Sequence, residues 1–449
     1  MNVDFIEACR RFIEIDSTPD NGTLEIAQFA SELCRKVGLH VELQNESHNG
    51  VDQANVIARP VTFRPDNEFM LLTHLDTADP GGYGLWTKTG ANPFNASIYL
   101  DTIYGLGAAS AKLDFLCKLQ AISELRDSTW RLPYVLVGTF GEEIGMPGAI
   151  KLIRKKKVNA KMALIGEPTE LCLSHAGKGF AGVEIDIPFS EEEMKFREQH
   201  DLGDGATSQS RVFVGRAAHS SVPQMGESAI SKLFEYLTKL PQGLAVMEIE
   251  GGISSSAVPA HAVLEIDMVG EFEKSMVSRL TRITHAIAEV EARFKDLADN
   301  EFEPPEPSLN VGMVRTFEDH IRLSGCVRLT PSVTGMIYED WMAILRNACG
   351  EIGADFRVNN YKQPFRTGLD EPLVKASQET LDRLGRSAQC VAQSVTTEAS
   401  VFSRFGIASL VIGPGRGVGN SHAPNEHVKI EELHEAVRFY KGVLERVCL

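Results

Sequence analysis

Apolar residues recur at helical spacing over residues 4–15 and 23–37, and the second stretch stops at Gly38, a residue suited to ending a helix. Short apolar runs follow at residues 40–43, 55–58, 69–73, 134–140 and 163–166. Between them the pattern predicts a long helix over about 110–125 and a shorter one over 147–155. Alternation of this kind predicts an α/β domain whose mostly parallel sheet is flanked by helices.

The rhythm changes after about Lys178. Residues 190–210 are polar and acidic, with Glu191-Glu-Glu193 and Asp201-Leu-Gly-Asp-Gly205, and predict an exposed insertion. Helices are predicted over 228–240 and 273–297, and strands over 244–250, 262–268, 309–314 and 321–329. Residues 357–365 read as a polar connector. After it α/β alternation returns, with a helix over 372–384, an apolar run at 409–412 and a final helix over 430–447. The expected organisation is a catalytic domain built from residues 1–178 and 360–449, with an α+β domain inserted at 179–359. A chain of 449 residues suits two cores better than one.

Composition narrows the function. The chain is 43% hydrophobic and 24% charged, ordinary material for a packed core. A net charge of −16 argues against nucleic acid or an anionic membrane as partner, since both need a basic face. No apolar run reaches the roughly 20 residues of a membrane span, and the N-terminus lacks a signal-peptide pattern. The eight cysteines form no Cys-x-x-Cys pair and read as reduced thiols, so a cytoplasmic protein is expected.

Glu142 and Glu143 stand side by side just past the apolar run Tyr134-Val-Leu-Val-Gly-Thr-Phe140. Adjacent carboxylates at a buried strand end repel each other and lose solvation. A metal ion with a bound water relieves both: one carboxylate binds the ion and the other takes the water's proton. A solvated turn carrying two acids is the bland alternative. His74-Leu-Asp76 follows another apolar run, and strand alternation puts His74 and Asp76 on one side. There one residue can bind a metal while the other holds the imidazole tautomer. Glu167, in Gly166-Glu-Pro-Thr169, and His422, shortly past Gly413-Pro-Gly415, also follow apolar runs. Open α/β sheets place their sites at such strand ends.

These segments, in this order, resemble the zinc-dependent amidohydrolases and exopeptidases that include acetylornithine deacetylase, succinyl-diaminopimelate desuccinylase and carboxypeptidase G. The similarity runs from Thr73–Pro80 through Tyr104–Lys112, Gly141–Ala149, Gly166–Thr169 and Ala218–Pro223 to Gly413–His422. Tyr104-Gly-Leu-Gly107 and Thr397-Glu-Ala399 lean toward the acetylornithine deacetylase branch. The resemblance implies two zinc sites, with cobalt or manganese as alternatives. His74 and Glu167 would hold one ion and Glu143 and His422 the other. Asp76 would orient His74, and Glu142 would be the base that activates the metal-bound water. His219, from the inserted lid domain of a partner subunit, would reach the oxyanion. Arg328 would grip the substrate carboxylate, and Glu398 would join it in substrate binding. The implied protein is a homodimer hydrolysing an amide bond in an N-acyl amino acid or small peptide.

One position departs from the pattern. Where the family places an aspartate bridging both ions, this chain has Ser110. A neutral hydroxyl leaves a two-ion site one negative charge short. Asp114, one helical turn on, is a candidate replacement. Three explanations stand open: a single-ion site of reduced activity, an inactivating change, natural or engineered, or a silent protein that binds acyl-amino-acid ligands or a partner. Ser256 stands where the family has an asparagine, which bears on substrate class.

Overall fold

The computed structural model describes residues 5–61, 66–201, 208–267 and 272–449. Asp4, the end of the acidic stretch at 202–205 and Met268, all included in the predicted elements, lie outside them. The chain divides into two compact units. One comprises Met1–Ala176, Phe365–Ala392 and Thr397–Leu449, and the other Gly177–Pro364 and Gln393–Thr396.

The first unit is built on a nine-stranded sheet. Along its main path the order is Leu39–His48, Val51–Pro60, Tyr134–Thr139, Glu68–His74, Ala160–Ile165, Ala408–Val411, Leu173–Gly177, Phe365–Arg366. The parallel part is its centre. Glu68–His74 runs parallel to both Tyr134–Thr139 and Ala160–Ile165, and Ala408–Val411 runs parallel to Ala160–Ile165. Pairings farther out, such as Leu39–His48 with Val51–Pro60, are antiparallel, so the sheet as a whole is mixed.

Strand alternation divides the apolar residues between two layers. Leu71, Leu136, Leu164 and Leu410 pack with the helices Phe5–Glu14, Leu24–Lys36, Lys112–Glu124 and Ile430–Val447. Met70, Leu72, Val135, Val137 and Ile165 pack on the other face with Ala149 and Leu152 of the helix Pro147–Arg154 and with Phe402. Burial on both faces explains the continuous apolar runs of these strands. Each fully buried Leu or Val contributes about 1.5–3 kcal/mol.

The second unit carries a seven-stranded antiparallel sheet with its own core, to which the helices Ala229–Leu237, Met276–Glu291 and Gly335–Ile352 contribute. Here the structure corrects three readings. The stretch predicted as an exposed insertion contains the helix Glu191–Asp201 and the start of the strand Ser208–Val214. That helix buries Glu193, which pairs with the buried Arg279. The predicted connector at 357–365 contains most of the edge strand Asp355–Lys362, paired with Gly179–Pro188. The helix predicted to begin at Glu273 begins at Met276, because Ser275 caps it by accepting the backbone N–H of Ser278. All eight cysteines are free, and no helix among the described residues is long and apolar enough to cross a membrane.

Candidate active site

The parallel strands bring their C-terminal ends together, and most of the predicted site residues lie there. His74 is the last residue of its strand and is buried. Its Nδ1 is 3.1 Å from the Asp76 carbonyl oxygen and 3.4 Å from Asp76 Oδ1, which turns Nε2 away from Asp76. The same Asp76 carboxylate accepts the backbone N–H groups of Glu142 and Glu143 at 3.1 and 3.0 Å. One carboxylate therefore orients the imidazole and fixes the turn carrying the glutamate pair. Burial works against its charge, but the bonds from His74 and from the two backbone amides hold Asp76 below the usual carboxylate range. Burial likewise works against charge on His74, and Asp76, Glu142 and Glu167 outweigh it, raising the imidazole well above its ordinary value.

The neighbouring carboxylates behave in the opposite way. Burial, followed by repulsion from Glu167, pushes Glu142 well above the ordinary value. Burial and repulsion from Glu143, countered by His74 and His422, bring Glu167 up to about 7. Half-buried carboxylates that raise one another in this way mark a candidate functional site and suit a cation. His422, left-handed at φ 60°, reaches Glu143 directly, Nε2 to Oε1 at 2.6 Å. That hydrogen bond raises the His422 imidazole. Among the described residues, no three His, Cys, Asp or Glu side chains stand arranged around one point as a metal would require. The residue types fit a divalent ion, but their present arrangement spends Glu143 and His422 on each other.

Ser110 is engaged elsewhere. Its hydroxyl lies 2.9 Å from Glu426 Oε1 and 2.9 Å from the Ser421 hydroxyl. Glu426, wholly overlooked in the sequence, is buried and accepts the backbone N–H groups of Gly107, Ala109 and Ser110 at 3.0, 2.8 and 2.6 Å. Nothing in the spacing distinguished it from a loop acid. Asp114 does not substitute for the missing aspartate. Its carboxylate is bound by Thr73 Oγ1 at 2.8 Å, by Lys118 Nζ at 2.6 Å and by the Tyr440 hydroxyl. Its spacing of four residues from Lys118 on one helix was the visible signal for that pair.

Glu398 is fully buried, and burial, only partly offset by His74 and the Thr139 hydroxyl, pushes it up to about 8. His219 and Arg328 lie in the second unit. There Arg328, 6% exposed, points Nη2 at the Ser220 hydroxyl (3.2 Å) and lies over the Phe180 ring. Burial, reinforced by the Arg328 charge, lowers the His219 imidazole, and its Nδ1 lies 2.7 Å from the Ser221 hydroxyl. Ser256 lends its carbonyl to the backbone N–H of Ser220.

Acids and histidines at the strand ends of a central sheet suit hydrolytic chemistry, and the chain belongs to the Peptidase family M20/M25/M40, a family of hydrolases, which it matches over residues 70–446. Among curated relatives it is 22% identical to an acetylornithine deacetylase of Aliivibrio fischeri, over 96% of this chain and 94% of that one. It is also 22% identical to an acetylornithine deacetylase of Photorhabdus laumondii, over 99% and 97%. Two solved structures share the fold. An M20 family metallo-carboxypeptidase of Sulfolobus solfataricus aligns with a TM-score of 0.64 at 19% identity, over 99% of both chains. An aminoacylhistidine dipeptidase of Vibrio alginolyticus aligns with a TM-score of 0.66 at 15% identity, over 98% and 96%.

Proposed function

We propose that this chain hydrolyses the amide bond of an N-acyl amino acid or small peptide with the help of one divalent ion, zinc in the first instance. The observation that carries the reading is the strand-end set of His74, Glu142 and Glu167, whose carboxylates are pushed upward by burial and by repulsion from neighbouring carboxylates. His74 and Glu167 would hold the ion, with Glu143 and His422 available when their mutual bond opens. When bound, the ion supplies Lewis acidity toward the water and the scissile carbonyl.

The protein's own groups do the rest. Asp76 keeps His74 Nε2 free for binding by occupying Nδ1. Glu142 takes the proton of the attacking water as the C–O bond forms, then returns it to the nitrogen as the C–N bond breaks. A carboxylate raised toward neutrality suits both halves of that exchange. Arg328 and Glu398 are assigned to substrate binding and His219 to the oxyanion, with His219 supplied by the lid unit of a partner subunit in a homodimer.

Ser110 favours a second reading, a silent member that binds acyl-amino-acid ligands or a partner, because its hydroxyl is committed to Glu426 and Ser421. Metal content measured beside turnover of an N-acetyl amino-acid panel separates the two. One ion per chain with turnover supports the hydrolase, and ligand binding without turnover supports the silent member. Mixing Glu142→Gln and His219→Ala chains, each inactive alone, tests the dimer. Recovery of activity is expected, and none would remove His219 from the partner's site.

A further inference from the structure

Beneath the strand ends lies a buried polar network that the reaction does not use. Lys118, fully buried, donates to the Leu72 carbonyl at 2.6 Å, to Thr73 Oγ1 at 2.9 Å and to Asp114. Leu72 and Thr73 immediately precede His74. The Leu72 carbonyl also accepts the Gly166 N–H at 2.8 Å, next to Glu167. Asp114 passes so close to Gly166 that a Cβ there would sit 2.0 Å from Asp114 Oδ2 and 2.8 Å from Lys118 Nζ. The Tyr440 hydroxyl closes the set, against Asp114 and 2.9 Å from the Ile412 carbonyl, at the start of the Gly413-Pro-Gly415 loop.

We infer that Asp114, Lys118, Thr73 and Tyr440 act as positioning residues, a buried clasp that fixes three neighbouring strand ends and so sets His74 relative to Glu167. The chemistry supports this. A buried ion pair is worth little as stability, because desolvating both charges cancels most of the attraction. What it does impose is direction: each donor and acceptor is satisfied in only one mutual placement of the strands. Helix Lys112–Glu124 supplies both charges from one face, at i and i+4, and the helix Ile430–Val447 supplies the hydroxyl from outside. Gly166 and Gly413 leave room for Asp114 to reach between their loops, with a Cβ on Gly413 falling 3.3 Å from Asp114 Oδ1.

This inference rests on the ion-dependent reading above, so its test needs readouts that survive failure of that reading. Lys118→Met would strand a buried carboxylate and is apt to unfold the chain. Tyr440→Phe and Thr73→Val instead delete one hydroxyl each and keep the bulk. Each is expected to weaken zinc binding, followed by calorimetry, by about tenfold, as loss of an outer hydrogen-bond partner does. Each should lower kcat about tenfold at unchanged KM, and speed amide hydrogen exchange at Leu72–His74, Glu167 and Gly413. Variants matching the parent in zinc affinity, kcat and exchange would overturn the inference. A parent that takes up no ion and turns over no acyl amino acid defeats the proposed function instead. The clasp is then judged by exchange alone: faster exchange at those amides supports it, and unchanged exchange overturns it.

Discussion

The Ser110 hydroxyl stands 2.9 Å from Glu426 Oε1, the same oxygen that accepts the Ser110 backbone N–H at 2.6 Å. With Ser421 on its other side, Ser110 joins the Gly107–Ser110 turn to the loop that carries His422. Serine here does a mechanical job for which an aspartate, already facing a carboxylate, is poorly suited.

Ser110→Asp therefore has two expected effects of opposite sign. In chelator the new carboxylate lies near Glu426 and lacks the hydroxyl's bond, so stability falls by about 1 kcal/mol or more. In excess zinc the variant should bind a second ion, recover that loss and gain turnover. Ion counting by mass spectrometry beside thermal melts checks this, and a variant gaining neither ion nor activity contradicts the bridging assignment.

Glu142→Gln keeps the shape of the site and removes its base. Turnover is expected to drop about 10²–10⁴-fold while ion content stays at the parent's level. Parent-like kcat would move the proton transfer to another group.

Glu398 makes a pH prediction. Its folded value of about 8 lies above the ordinary 4.5 of an exposed glutamate, so the unfolded chain loses this proton first as pH rises. Stability from this group is complete below about 4.5 and is lost as pH climbs to about 8. Glu398→Gln removes that slope. In chelator the variant should gain on the parent between pH 5 and pH 8 by urea unfolding, and parallel curves would contradict the assignment.

In the second unit, Glu193→Gln leaves the Arg279 guanidinium buried without its counter-charge. Loss of about 3–5 kcal/mol is expected in urea unfolding. Glu193→Leu with Arg279→Met should cost much less than the single change, since the pair leaves together. Equal losses would point to packing rather than charge.

The parts of the molecule that the sequence made legible share one property: their apolar pattern was dense enough to outweigh local polarity. The central strands, buried on both faces, and the helix Ile430–Val447 fall where the pattern put them. The strand Asp355–Lys362 did not stand out, because it is an edge strand whose apolar residues Phe356, Val358 and Tyr361 are only half-buried and whose alternation breaks at Asn359-Asn360. The helix Glu191–Asp201 was hidden for a related reason: it docks partly through a charged residue, Glu193, which no apolar period reports. In the site, strand-end position exposed His74, Glu142, Glu143 and Glu167. Direction was not readable. Asp114 lies one turn from Ser110, yet its carboxylate serves Thr73, Lys118 and Tyr440.

The strand Ala408–Val411 lies beside Ala160–Ile165, although the whole Gly177–Pro364 unit is synthesised between them. The consequence concerns timing. His74, Glu142, Glu143 and Glu167 follow three mutually paired strands that leave the ribosome early, but the neighbouring strand that leads to the His422 loop emerges only after the second unit. The second unit, contiguous but for Gln393–Thr396, can fold in the interval. The carboxylates thus share strands that pair without the late segment, whereas the bond from His422 to Glu143 forms only after that segment has emerged.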